Sequence, residues 1–106
     1  FEVIFQKLTR VSGMEFQPRI LLIEDDKRIA QSISLGLSRK GFEVSIAYDG
    51  TLGARQASAG GFDLLLLDVN LPGLNGFGVC RTLRQQGSTV PVLMLTALGE
   101  VDDKVE

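Results

Sequence analysis

Two unbroken apolar runs, Ile20-Leu21-Leu22-Ile23 and Leu64-Leu65-Leu66-Leu67, stand out from the polar stretches around them. Short runs of this kind suit strands buried on both faces, in the middle of a parallel sheet. They predict central strands over 20–23 and 63–67. Residues 43–46 differ, because Val44 and Ile46 alternate with Glu43 and Ser45. That period suits a half-exposed strand at a sheet edge. Residues 90–95 form a further apolar stretch and predict another buried strand.

The segments between these strands have a helical period. Ile29, Ile33 and Leu37 recur at every fourth position, a stripe that Asp25 or Asp26 could cap and Gly41 could end. Residues 51–59 predict a weaker helix, poor in large apolar side chains and bounded by Gly60-Gly61. Residues 77–86 predict a third, with Val79, Cys80 and Leu83 on one face. Val101 and Val105 begin a fourth, inside which the sequence ends.

Strands and helices thus alternate, which implies an α/β doubly wound parallel sheet with helices on both faces. With the second strand at an edge and the first and third central, the expected strand order is 2-1-3-4. Residues 1–13 read differently. The chain opens on Phe, Met14 shortly precedes the first strand, and Phe1-Glu2-Val3-Ile4-Phe5-Gln6 resembles a viral-protease recognition sequence used in expression vectors. The expectation is an expression-derived leader over 1–13 and one domain over 14–106.

Composition narrows the function. A length of 106 residues with 44% hydrophobic content supports one small core. A net charge of -2 gives no electrostatic footprint for nucleic acid or an anionic membrane. No apolar stretch approaches transmembrane length, and the lone Cys80 has no internal disulfide partner, which suits a reducing cytoplasm. The absence of histidine removes Ser-His-Asp and Cys-His catalysis and the usual histidine zinc sites. Any phosphohistidine donor must be another protein.

The chemistry lies at the carboxyl ends of the strands, where open α/β sheets bind ligands. Glu24-Asp25-Asp26 follows the first strand, Asp68 the third and Thr96 the fourth. In the order 2-1-3-4 the ends of strands one and three are neighbours. Carboxylates about 4 Å apart repel by roughly 4 kcal/mol at an effective dielectric of about 20. A cation or a retained proton must compensate. All-oxygen ligands in an open site favour Mg²⁺ over zinc or copper. An acidic rather than glycine-rich first turn argues against a dinucleotide site. Taken singly, Asp25 or Asp26 reads equally well as a helix cap and Asp68 as the start of a turn.

The order of Ile23-Glu24-Asp25-Asp26, Leu67-Asp68-Val69-Asn70-Leu71-Pro72-Gly73, Asn75-Gly76 and Pro91-Val92-Leu93-Met94-Leu95-Thr96-Ala97 resembles a response-regulator receiver domain of two-component signalling, of the chemotaxis-regulator type. The resemblance runs from Arg19 to Glu106. It implies a flavodoxin-like fold and a phosphorylation-controlled switch rather than an enzyme, at most phosphorylating itself from small donors and dephosphorylating itself. It implies Asp68 as acceptor of a phosphoryl group from a sensor histidine kinase. Mg²⁺ would be held by Asp25, Asp68, Glu24 (directly or through water) and the backbone carbonyl of Asn70. Thr96 would be the switch hydroxyl, small Ala97 would leave room for the phosphoryl group, and apolar Leu98 would slow its loss to water. A DNA-binding output on another segment, controlling transcription, follows by analogy with the family.

The resemblance also marks what is missing. The fifth strand with its lysine, and the fifth helix, are absent, and Lys104 falls in the expected fourth helix rather than at the lysine's position. This implies metal binding without efficient phosphorylation, and either an incomplete chain or self-association through the edge of strand four. Two other readings compete. One is a metal-dependent phosphoesterase or nuclease, which would want a second carboxylate where Asn70 stands. The other is a degenerate receiver that serves only as a binding module.

Overall fold

The computed structural model describes residues 17–95. Its elements are β1 (Arg19–Ile23), α1 (Lys27–Arg39), β2 (Glu43–Ala47), α2 (Gly50–Ser58), β3 (Leu64–Asp68), α3 (Gly76–Gln85) and β4 (Val92–Leu95). The expected leader over 1–13 and the fourth helix with Val101 and Val105 lie outside the described residues.

The four strands are parallel in the order β2-β1-β3-β4, as the apolar pattern predicts. β1 and β3 are central because their side chains are apolar on both faces. Ile20 to Ile23 and Leu65 to Leu67 are fully buried. Alternation along these strands divides the core in two. Ile20, Leu22, Leu64 and Leu66 pack with Ala30 and Leu37 of α1 on one face. Leu21, Ile23, Leu65 and Leu67 pack with Ala54 and Ala57 of α2 and Val79 and Leu83 of α3 on the other. The sheet is therefore covered on both sides. Burial of this apolar surface is the main favourable term holding the fold together.

Each helix begins at a polar cap. Asp26 accepts from the N–H groups of Arg28 at 3.0 Å and Ile29 at 3.1 Å. Asp49 accepts from Leu52 N–H at 2.7 Å, and Asn75 from Gly78 N–H at 2.9 Å. These bonds satisfy amide donors that the first helical turn leaves unpaired. Gly41, with φ of 98°, follows the end of α1 and takes the left-handed turn expected of it.

Two expectations need correction. The α1 stripe of Ile29, Ile33 and Leu37 does not face the core as a unit. Ile29 is 48% exposed, and Ala30 is the buried residue in its place. Ile33 and Leu37 do pack on the core, whereas Ala30 takes the place expected of Ile29, a small side chain where helix and sheet approach. The fourth strand is not buried either: it runs only from Val92 to Leu95, with Leu93 exposed and the others half-buried. It pairs with β3 alone among the described residues.

The connection from β3 to α3 turns back sharply on the sheet. Gly73 takes a φ of 72°, and Gly76 N–H donates to the Val69 carbonyl at 3.1 Å. A Cβ on Gly76 would meet the Asp68 carbonyl oxygen at 2.5 Å and Val69 Cα at 3.0 Å. Only glycine lets α3 start this close to the end of β3.

Candidate metal centre

The register places the acids. Ile23 stands opposite Leu67, so the residues that follow, Glu24 and Asp68, leave the sheet side by side. Glu24 N–H continues the ladder toward β2 by donating to the Ala47 carbonyl at 3.0 Å. That fixes the backbone under its carboxylate. On the other side, Asp68 stands opposite Leu95 of β4, and Val69 N–H donates to the Leu95 carbonyl at 3.1 Å. Both carboxylates therefore stand on backbone held by strands on either side.

Glu24, Asp25 and Asp68 bring carboxylate oxygens within 4.8 Å of one another. Their environments differ. Glu24 is only 6% exposed, Asp68 is half-buried and Asp25 is exposed. Two local bonds orient the buried members. Asp26 N–H donates to Glu24 Oε2 at 3.0 Å, and Asn70 N–H donates to Asp68 Oδ1 at 3.1 Å. Each carboxylate thus accepts from the amide two residues further along the chain.

Glu24 carries the electrostatic cost of this arrangement. Burial is the main cause that pushes its carboxyl from 4.5 up to about 7. The Asp26 N–H bond works against that shift, while the charge of Asp68, a hydrogen bond with Asp25 and the charge of Asp25 reinforce it. Such a group invites either a proton or a cation. Oxygens within 4.8 Å of one another suit one six-coordinate Mg²⁺, whose opposite ligands stand about 4 Å apart. The donor set is oxygen only, which fits a hard cation.

The structure thus brings together Glu24, Asp25 and Asp68, and places Asn70 two residues beyond Asp68 with its N–H on the carboxylate. Thr96, Ala97 and Leu98 lie outside the described residues. By sequence, Asp26 is both a member of the acidic group after the first strand and a possible cap. In the structure it both caps α1 with its side chain and orients Glu24 with its backbone. The signal was the Glu24-Asp25-Asp26 spacing, which lets a side chain reach the amide two residues on.

Comparison with known proteins agrees with this geometry. The sequence profile of the response regulator receiver domain matches residues 20–106. The chain is 46% identical over 86 residues to the uncharacterized transcriptional regulatory protein YkoG of Bacillus subtilis, covering 81% of this chain and 38% of that protein. Among solved structures, the receiver domain of the Francisella response regulator 1452 superposes with a TM-score of 0.75 at 30% identity, over 84% of this chain and 74% of that one. The response regulator TrrA of Thermotoga maritima, solved in complex with Mg²⁺-BeF, superposes with a TM-score of 0.74 at 26% identity, over 84% and 77%. The chain spans well under half the length of the curated relatives it matches. None of the described helices is long and apolar enough to cross a membrane. The acid cluster at the ends of β1 and β3, the strand order and these matches agree, and the chain belongs to the response regulator receiver domain family.

Proposed function

We propose that the chain accepts a phosphoryl group on Asp68 from a phosphohistidine of a sensor kinase, in a Mg²⁺-dependent reaction. The observation that carries this reading is the meeting of Glu24, Asp25 and Asp68 at the ends of two adjacent parallel strands. A carboxylate oxygen of Asp68 attacks phosphorus; the Oδ–P bond forms as the P–N bond to the donor imidazole breaks, and the nitrogen leaves with the electron pair. The product is an acyl phosphate. Asn70 N–H, which donates to Asp68 Oδ1, keeps the carboxylate oriented for that attack.

Glu24, Asp25 and Asp68, with the Asn70 carbonyl, would hold the ion. When bound, Mg²⁺ supplies positive charge against the phosphoryl oxygens, most of what phosphoryl transfer requires. Burial and like charge at Glu24 favour a bound cation over an empty, fully ionised site. Thr96 would donate its hydroxyl to a phosphoryl oxygen, Ala97 would leave space beside it, and Leu98 would deny water a polar anchor. Asp68 together with the Thr96 hydroxyl would bias a two-state response. The complex that TrrA forms with Mg²⁺-BeF supports the same use of the acid cluster here.

The setting of this reaction is cytoplasmic two-component signalling, with transcription as the output, as the name of YkoG suggests for that protein. The apolar edge of β4 offers a route to self-association. The chemistry is tested by titrating the chain with Mg²⁺ and beryllofluoride and following backbone amide resonances. Saturable shifts at Asp68 and Asn70 that require both additives are expected. Shifts that survive Asp68→Ala, or none at all, would overturn the reading.

A further inference from the structure

We propose that Gly50, on α2, is a positioning residue for the metal centre, acting through the turn between β3 and α3. Its role presupposes the Mg²⁺ site proposed above. Gly50 is the first residue of α2 and is buried. A Cβ added there would overlap the carbonyl oxygen of Leu74 and meet Leu74 Cβ at 3.2 Å. The backbone of the turn therefore rests directly on the start of α2, at a place where only glycine leaves room.

Both sides of this seat are held by further contacts. First, α2 has little freedom to retreat. A Cβ on Gly53 would meet Ile23 of β1 at 2.5 Å, so the helix lies flush on the strand that leads to Glu24. Asp49 also anchors its first turn, through Leu52 N–H at 2.7 Å. Second, Leu74 is packed closely as well: a Cβ on Gly78 would meet its Cδ1 at 2.5 Å, and its side chain packs on the core. Because α2 is held against β1, a methyl group at position 50 must push the Leu74 backbone out of its place.

The turn leads back to the acceptor. Its base is closed by Gly76 N–H on the Val69 carbonyl, and Asn70 N–H holds Asp68 Oδ1. Displacing Leu74 therefore disturbs Asn70 and the carboxylate it orients, although Gly50 touches neither. Residues that hold ligands in place commonly matter to a metal site nearly as much as the ligands.

The test titrates the 106-residue chain with Mg²⁺, following the amides of Asp68 and Asn70, in wild type, Gly50→Ala, Leu74→Ala and Gly36→Ala. Far-UV circular dichroism establishes the folded fraction of each. Gly50→Ala is expected to weaken Mg²⁺ binding by roughly tenfold or more while folded. It should also speed hydrogen exchange at Gly76 N–H. Leu74→Ala, which loosens the turn without a clash, should weaken binding in the same direction. Gly36→Ala, with nothing within 4 Å of the new methyl, should bind as wild type does. Folded Gly50→Ala binding Mg²⁺ as tightly as wild type would overturn the inference. If Gly50→Ala does not fold, wild-type affinity in Leu74→Ala overturns it instead. A wild-type chain that binds no Mg²⁺ at Asp68 removes the metal site itself, an outcome distinct from wild type binding and the variants matching it.

Discussion

Glu24, buried where β1 ends, and Asp68, the last residue of β3, bring carboxylate oxygens within 4.8 Å of each other. The two are neighbours because β1 and β3 pair in parallel with Ile23 opposite Leu67. The apolar runs that build the sheet therefore also gather the charge. The fold stabilises an arrangement that the charges alone would oppose, and the residual cost is concentrated on the least exposed member.

That cost has a pH signature. The Glu24 carboxyl rises from 4.5 to about 7 on folding, so the native state binds more protons than the unfolded chain between these values. Its contribution to stability is fully present below pH 4.5 and is lost as pH rises through about 7. Without metal, the chain should melt at a lower temperature at pH 8 than at pH 6. Glu24→Gln should flatten that dependence. Added Mg²⁺ should stabilise more strongly at pH 8 than at pH 6, because protons and the cation compete for the same oxygens. Thermal melts with and without Mg²⁺ at the two pH values check both statements.

Two glycine substitutions should have opposite signs. Gly36 lies on the exposed side of α1, and a methyl group there meets nothing within 4 Å. Gly36→Ala should stabilise the fold by about 0.5–1 kcal/mol through helix propensity. A Cβ on Gly76 would press on the Asp68 carbonyl at 2.5 Å and on Val69. Gly76→Ala should destabilise by roughly 1–3 kcal/mol, typical of overpacking. Urea unfolding of the two variants beside wild type measures the difference.

Asp26 is the acid that does not join the cluster. Its side chain caps α1, whereas its contribution to the site is a backbone N–H on Glu24. Asp26→Ala should cost about 1 kcal/mol of stability, as lost caps do, and leave Mg²⁺ binding largely intact. Asp25→Ala should do the reverse, because Asp25 is exposed and contributes a carboxylate oxygen to the acid cluster proposed to hold the ion. Denaturant melts paired with Mg²⁺ titrations distinguish the two aspartates.

Much of this is legible in the sequence. The runs at 20–23 and 64–67 mark the two central strands because a strand covered on both faces needs apolar residues throughout, and the alternation of Val44 and Ile46 marks an edge. Order and parallel direction then put Glu24, Asp25 and Asp68 together. What was not legible depends on distances between elements. Period alone favours Ile29 as a core residue, but the gap between α1 and the sheet accepts Ala30. Likewise, by its pattern α2 is a weak helix, poor in large apolar residues. Its small residues, Gly50, Gly53, Ala54 and Ala57, are the ones that let it lie flush against β1 and the turn at Leu74.

The lifetime of the phosphorylated form offers a further check. In the role proposed for it, apolar Leu98 would leave water without a polar side chain to orient it beside the acyl phosphate. Loss of phosphate from wild type should be slow, and Leu98→Gln should accelerate it. The decay of labelled acyl phosphate after removal of the donor gives the rate; rapid loss from wild type would count against this role for Leu98.

As the proposed acceptor, Asp68 should carry the phosphoryl group as an acyl phosphate that adds to the mass of the chain. Intact-mass measurement after incubation with Mg²⁺ and a small acyl phosphate or phosphoramidate addresses it directly. A single phosphoryl adduct on a fraction of the wild-type chain is expected, absent without Mg²⁺ and absent in Asp68→Asn. An adduct that persists in Asp68→Asn, or steady turnover of phosphoesters with no adduct, would contradict it.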